Sequence, residues 1–238
     1  MRLKIVFLIC IFGGLNALQQ EKRLLVNDPQ MMETQIVELQ RQVQLLKEEM
    51  TKVTQNNNYG TTYTIWGKRI CPQLSNTTTL YSGVVAGSFF TETGNGANTL
   101  CLPHDPDSVD ANFPIHQSDG IAHLYGGEYQ FSFKNVVYQD DVPCAVCRVT
   151  QATSALIIPG KLSCPSGWVK QYQGFLTSNA YNEQKSEYLC LDDNPDFIER
   201  SRVNENGKLF HPVITVCGTL PCPPYKNGTY VPCSICTA

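Results

Sequence analysis

The sequence predicts a mainly β, disulfide-rich domain built from two related halves and preceded by a short α-helical coiled coil. Three observations carry that prediction. An apolar seam with heptad spacing lies near the start of the 238-residue chain. A set of cysteine-centred motifs occurs twice in the same order. Short runs of β-branched and aromatic residues alternate with turn formers.

The first element is a leader. Arg2 and Lys4 precede an apolar run from Ile5 to Phe12, and Gly13, Gly14 and Ala17 follow. Basic, apolar and small residues in that order make residues 1–17 a secretory signal peptide, and the run is too short to span a bilayer. No later stretch reaches the roughly 18 apolar residues of a membrane helix. The expectation is a protein secreted to the extracellular space or matrix, without a membrane span. A formal net charge of -3 supplies no basic field, so nucleic acid is not an expected partner.

A linker over 18–30 leads to the coiled coil, expected over 31–55. There Met32, Ile36, Leu39, Val43, Leu46, Met50 and Val53 recur in alternating steps of four and three. That spacing keeps one stripe facing a partner helix, while Glu38, Arg41 and Glu48 stay in water. The seam residues are therefore the candidate oligomerisation residues, for a homodimer or homotrimer. Pro29 bounds the helix above; Asn56-Asn57-Asn58-Tyr59-Gly60 ends it, within a linker over 56–62.

Residues 63–150 and 151–238 read as two halves of one β-rich domain. Cys71-Pro72 matches Cys164-Pro165, Tyr81-Ser82-Gly83 matches Tyr172-Gln173-Gly174, and Leu100-Cys101-Leu102 matches Leu189-Cys190-Leu191. Asp105-Pro106-Asp107 matches Asn194-Pro195-Asp196, and Cys144-Ala145-Val146-Cys147 matches Cys233-Ser234-Ile235-Cys236. Five matches in one order at nearly constant offset mark an internal duplication. Strands are expected at Tyr63–Trp66, Gly83–Phe90, Tyr129–Phe133 and Ala155–Ile158, separated by turns such as Gly94-Asn95-Gly96, Ser118-Asp119-Gly120 and Asn206-Gly207. Each half is expected to form its own small sheet, stapled because neither has much core alone.

Of 11 cysteines, Cys10 lies in the leader, which leaves an even ten, as a disulfide framework needs. The two C-x-x-C pairs, Cys144/Cys147 and Cys233/Cys236, also have the spacing of a four-thiolate zinc site or a redox pair. An oxidising compartment favours structural bridges. Spacing alone leaves hundreds of connectivities open.

The doubled pattern C-P, Y-x-G, L-C-L, C-x-x-C resembles the duplicated C-terminal non-collagenous domain of type IV collagen. More closely, it looks like the type IV-like domain of the short-chain collagens of invertebrates, and the resemblance covers Tyr63 to Ala238. It implies that Cys71 pairs with Cys147, Cys101 with Cys144, Cys164 with Cys236 and Cys190 with Cys233, which leaves Cys217 and Cys222 to close a small extra loop. The first half has no counterpart of that loop. The chain also has no Gly-X-Y tract, and its 17 glycines cannot wind a collagen triple helix, so the coiled coil stands in the stalk's place.

Other chemistry is sparse. Asp192, Asn194 and Asp196 alternate as in a calcium loop, but Phe197 sits where an EF-hand needs glycine and Val203 where it needs glutamate, so calcium is a weak candidate and no cofactor is expected. Asn76-Thr77-Thr78 and Asn227-Gly228-Thr229 are glycosylation acceptors. His104, His116, His123 and His211 match no catalytic spacing, and Trp66 and Trp168 read as core anchors. The expected function is non-enzymatic: extracellular assembly through contacts with matrix proteins or other copies. The alternative is a lectin-like protein that multiplies weak contacts with glycans or microbial surfaces through its stalk.

Overall fold

A computed structural model describes residues 29–55, 59–109, 120–199 and 201–238. The expected leader over 1–17 and the turn residues Ser118 and Asp119 lie outside them. The chain divides into a helical unit ending at Asn57 and a β unit from Asn58 to Ala238.

Helix α1 runs Pro29–Gln55, beginning two residues before the expected coiled coil. Proline is favoured in the first helical turn, because its fixed φ is already helical and its missing N–H has no partner to lose there. Glu38 accepts from Arg41 at 2.7 Å and from Gln42 at 3.1 Å on the outer surface. Lys52 in the last turn complements the helix dipole. All seven seam residues are exposed on the single helix.

The β unit contains β1 Gly60–Trp66, β2 Thr77–Gly87, β3 Leu100–Pro103, β4 Tyr125–Tyr129 and β5 Pro143–Thr150 in the first half. The second half supplies β6 Ala155–Pro159, β7 Val169–Ser178, β8 Leu189–Asp192, β9 Lys208–Pro212 and β10 Pro232–Thr237. β1 starts three residues before the expected domain boundary, because Gly60 already pairs with Thr150. β2 begins at the β-branched run Thr77–Thr79 rather than at Gly83, and β4 ends where it was expected to begin.

The two halves do not form separate sheets, contrary to the sequence expectation. All ten strands join in the order β6-β10-β7-β8-β1-β5-β2-β4-β9, with β3 on β2 and a further β7–β9 pairing. Two parallel junctions unite the halves: β8 beside β1 at Leu191 and Trp66, and β4 beside β9 over three residue pairs. Both apolar cores are shared as well. One gathers Tyr63, Ile65 and Val149 with Tyr172, Leu176 and Ile235; the other gathers Val85, Tyr129 and Val142 with Leu189, Leu191 and Phe210. Each buried large side chain contributes about 1.5–3 kcal/mol. A half alone would forfeit most of that burial, so the physical unit is the pair.

Candidate functional site

Five disulfides brace the β unit: Cys71–Cys147, Cys101–Cys144, Cys164–Cys236, Cys190–Cys233 and Cys217–Cys222. With all ten cysteines so engaged, neither C-x-x-C pair offers thiolates to zinc. Each half thereby clips its L-C-L strand and its C-P loop to the same C-x-x-C strand, which closes loops of 43 to 76 residues. Closing a loop of that length stabilises by roughly 2–4 kcal/mol, chiefly by restricting the unfolded chain.

The duplicated Y-x-G motif acquires a mechanism beside these bridges. Tyr81 donates its hydroxyl to the Cys101 carbonyl at 3.1 Å, and Tyr172 donates to the Cys190 carbonyl at 2.8 Å. The glycine two residues on lets the next strand close in. A Cβ on Gly83 would stand 1.8 Å from the Leu102 carbonyl oxygen, and one on Gly174 would stand 1.6 Å from that of Leu191.

The halves differ in what covers this corner. In the second half, β1 lies along β8, Tyr63 packs on Tyr172 with ring centroids 6.0 Å apart, and Leu189 and Leu191 are 5% and 0% exposed. In the first half, β3 has β2 on one side and no strand on the other among the described residues, and Leu100 and Tyr81 are exposed, Leu100 to 40%. The register makes β6 the counterpart of β1: Leu156 faces Cys236 as Tyr63 faces Cys147, and Pro159 faces Cys233 as Trp66 faces Cys144. Among the described residues β6 is also an open edge, paired only with β10, and Leu156 is 45% exposed where Tyr63 is buried. One β8–β1 junction is made within the chain. The equivalent β3 and β6 edges are left unpaired among the described residues.

Asp196 binds the Lys68 ammonium at 2.9 Å, Asp193 accepts from Gln173 at 3.0 Å, and Asp192 accepts from the Asn194 backbone N–H at 2.9 Å. Burial is the main cause of a raised Asp192 carboxyl pKa, with Lys68 acting in the opposite sense. The turn therefore spends its carboxylates internally, and no group of three or more His, Cys, Asp or Glu among the described residues is arranged to hold a metal ion. Trp66 packs against the second core, whereas Trp168 is half-buried. His123 meets Glu92 at 3.2 Å and His211 meets Glu183 at 3.4 Å. His104 is exposed, and His116 lies outside the described residues. The Asn76 amide donates to the Thr150 carbonyl at 3.2 Å, while Asn227 is exposed and accepts from the Cys217 backbone N–H at 3.0 Å.

Two features had no sequence expectation. Lys208, at the start of β9, is buried to 2% exposure. It lines a cavity of about 430 Å³ between the β2–β3 connection and the equivalent β7–β8 connection. Glu128, equally buried on β4, accepts at one oxygen from the backbone N–H groups of Glu205 and Asn206, 2.8 Å from each, and its other oxygen has no partner among the described residues. In sequence Lys208 and Glu128 look like ordinary surface charges; only the parallel β4–β9 junction places them inside.

Among the described residues no helix is long and apolar enough to cross a membrane, and five disulfides are compatible with an extracellular protein. No family model matches the chain.

Proposed function

We propose that the chain is a secreted, non-enzymatic extracellular assembly protein. In this reading α1 gathers two or three copies as a coiled coil. The β units, similar to the type IV collagen C-terminal domain, then join head to tail and present their outer surface to matrix proteins. The observation that carries the reading is the pair of complementary open edges. β3 and β6 are the repeat counterparts of β8 and β1, which pair within the chain. A second copy can therefore lay its β6 beside β3 in the same parallel sense, with Pro159 opposite Leu102 as Trp66 stands opposite Leu191. That contact covers Leu100, Tyr81 and Leu156, which the single chain leaves exposed.

Such a junction is heterologous, so it closes only as a ring. The seven apolar seam residues of α1 supply a second, independent association surface of heptad type. Open strand edges with apolar side chains are sites of further pairing unless a partner takes them.

Sedimentation equilibrium of the secreted protein tests the reading, beside a chain lacking residues 18–58 and a chain carrying Leu100→Glu with Leu156→Glu. The expected result is a dimer or trimer that weakens in both variants. A strictly monomeric protein, with both variants sedimenting identically to it, removes the proposal.

A further inference from the structure

The cavity between the two halves has the chemistry of a ligand site separate from the assembly edges. Its volume of about 430 Å³ falls within the roughly 300–1,000 Å³ of small-molecule sites. Its walls are unlike those of an apolar site: Asn95 and Asn98 come from the first half, Asn179 and Ser186 from the second, with Phe89 as the main aromatic surface. The walls are also held still. Gln184 donates its backbone N–H to the Phe90 carbonyl at 2.9 Å, Glu187 donates to the Ala97 carbonyl at 3.1 Å, and Phe89 stacks obliquely on Phe90 and Tyr125. Asn95 is itself pinned, donating to Glu92 and accepting from the His123 backbone N–H at 2.9 Å, and Asn179 donates to the Gln184 carbonyl at 3.0 Å. That leaves the exposed Asn98 amide to meet a polyhydroxylated ligand on a wall that needs little ordering.

Lys208 adds a charge preference. Lysine is almost never fully buried unless paired, yet among the described residues no carboxylate stands within ion-pair distance of its Nζ. Glu183 and Glu187 are near enough to favour the cation but do not reach it, and burial lowers the ammonium pKa to about 8. Nζ donates to Asn179 Oδ1 at 2.9 Å, to Ser186 Oγ and to the Leu209 carbonyl at 3.4 Å, and it lies 5.4 Å from the Phe210 ring centroid. Its donors are therefore occupied, and its charge is offset only at longer range, by Glu187 and Glu183. The side-chain stem is accommodated by Gly87, where a Cβ would press on Lys208 Cγ at 3.2 Å. The wall carboxylates compete little for it: Glu92 accepts from Tyr125 at 2.8 Å and meets His123, and Glu183 accepts from the Ala180 N–H at 2.8 Å and meets His211.

We propose that this cleft binds an acidic saccharide, a sugar ring bearing a carboxylate, with Lys208 supplying the field that holds the carboxylate and the exposed Asn98 amide meeting the ring hydroxyls. The site is not the acidic turn at Asp192, and it needs both halves, because each contributes one wall. It also goes beyond assembly: a monomer with an intact β unit would bind.

Calorimetric titration of the secreted protein with glucuronic acid and N-acetylneuraminic acid, beside neutral methyl glucoside, tests the assignment. Amide chemical shifts of Gly94 and Gly96 report the location. The expected result is binding of at least one acidic sugar about tenfold tighter than the neutral one, with shifts confined to the cleft. Asn98→Asp, an exposed wall substitution that adds a negative charge, is expected to weaken acidic-sugar binding by about tenfold, as is Lys208→Met where that variant still folds. Three results overturn the proposal: silence of both acidic sugars at concentrations where the protein stays soluble, equal binding of acidic and neutral sugars, or unchanged binding by a folded Asn98→Asp protein.

Discussion

Glu128 on β4 stands directly across an antiparallel bridge from Asp141, so two carboxylates emerge from facing backbone positions on the same side. Like charges so placed repel, and both lie beside the β4–β9 junction that joins the halves. The neighbouring charges are Asp140, paired with Arg202 at 2.9 Å, and Glu205, whose backbone N–H caps Glu128. Burial first, and then Glu128, Glu205 and Asp140, push the Asp141 carboxyl up to about 6. A carboxyl with a raised folded-state pKa binds its proton more tightly in the folded chain than in the unfolded one. Its stabilising contribution is full below the unfolded value near 4 and is lost as pH rises through about 6.

The melting temperature is accordingly expected to rise by a few degrees between about pH 7.5 and about pH 5, against the usual direction of acid destabilisation. Asp141→Asn, which mimics the protonated acid, should raise the melting temperature at the higher pH and flatten the profile. Scanning calorimetry across that range checks both, and a wild-type curve that falls steadily with acid contradicts the assignment.

Tyr172→Phe and Tyr81→Phe remove the same hydrogen bond from the two repeats in different surroundings. The Tyr172 side chain is buried and its hydroxyl also reaches the Thr64 carbonyl at 3.3 Å, so losing it removes buried hydrogen bonding that water cannot replace and is expected to cost about 1–3 kcal/mol. Tyr81 is exposed and water can replace it, so Tyr81→Phe should cost less than about 0.5 kcal/mol in the single chain. Urea unfolding of the two variants reads the difference.

Gly174→Ala should prevent native folding of the second half, because a methyl cannot sit 1.6 Å from the Leu191 carbonyl oxygen. Separating β7 from β8 also opens both shared cores, so a loss above about 4 kcal/mol is expected. Secretion yield and near-ultraviolet circular dichroism would report it.

Of the two glycosylation acceptors, Asn227 is the one expected to carry glycan in the secreted protein. Its side-chain oxygen accepts from the Cys217 backbone N–H, and the residue is exposed. The Asn76 amide nitrogen already donates to the Thr150 carbonyl, and a glycan there would leave it a single N–H and crowd that contact. Peptide mapping before and after glycosidase treatment distinguishes the sites, and occupancy of Asn76 alone would contradict this.

The open and covered L-C-L corners also show where sequence reasoning reached its limit. Leu100-Cys101-Leu102 and Leu189-Cys190-Leu191 are alike as text, and so are the tyrosines and glycines that serve them. Which corner is buried depends on β1 lying beside β8, a contact between residues more than a hundred positions apart that no local pattern encodes.

By itself the amino-acid order determined the helix and its apolar stripe, the β character of the rest, the duplication, and an even set of cysteines suited to five bridges. Those follow from periodicity, side-chain shape and counting, which act over a few residues or within one repeat. Only the tertiary structure decided that the halves share one sheet and two cores, that Lys208 and Glu128 are buried, and that β3 and β6 remain open. The physical reason is that burial and strand pairing are settled between distant segments: a charge or an edge is exposed or covered according to what the other half brings against it.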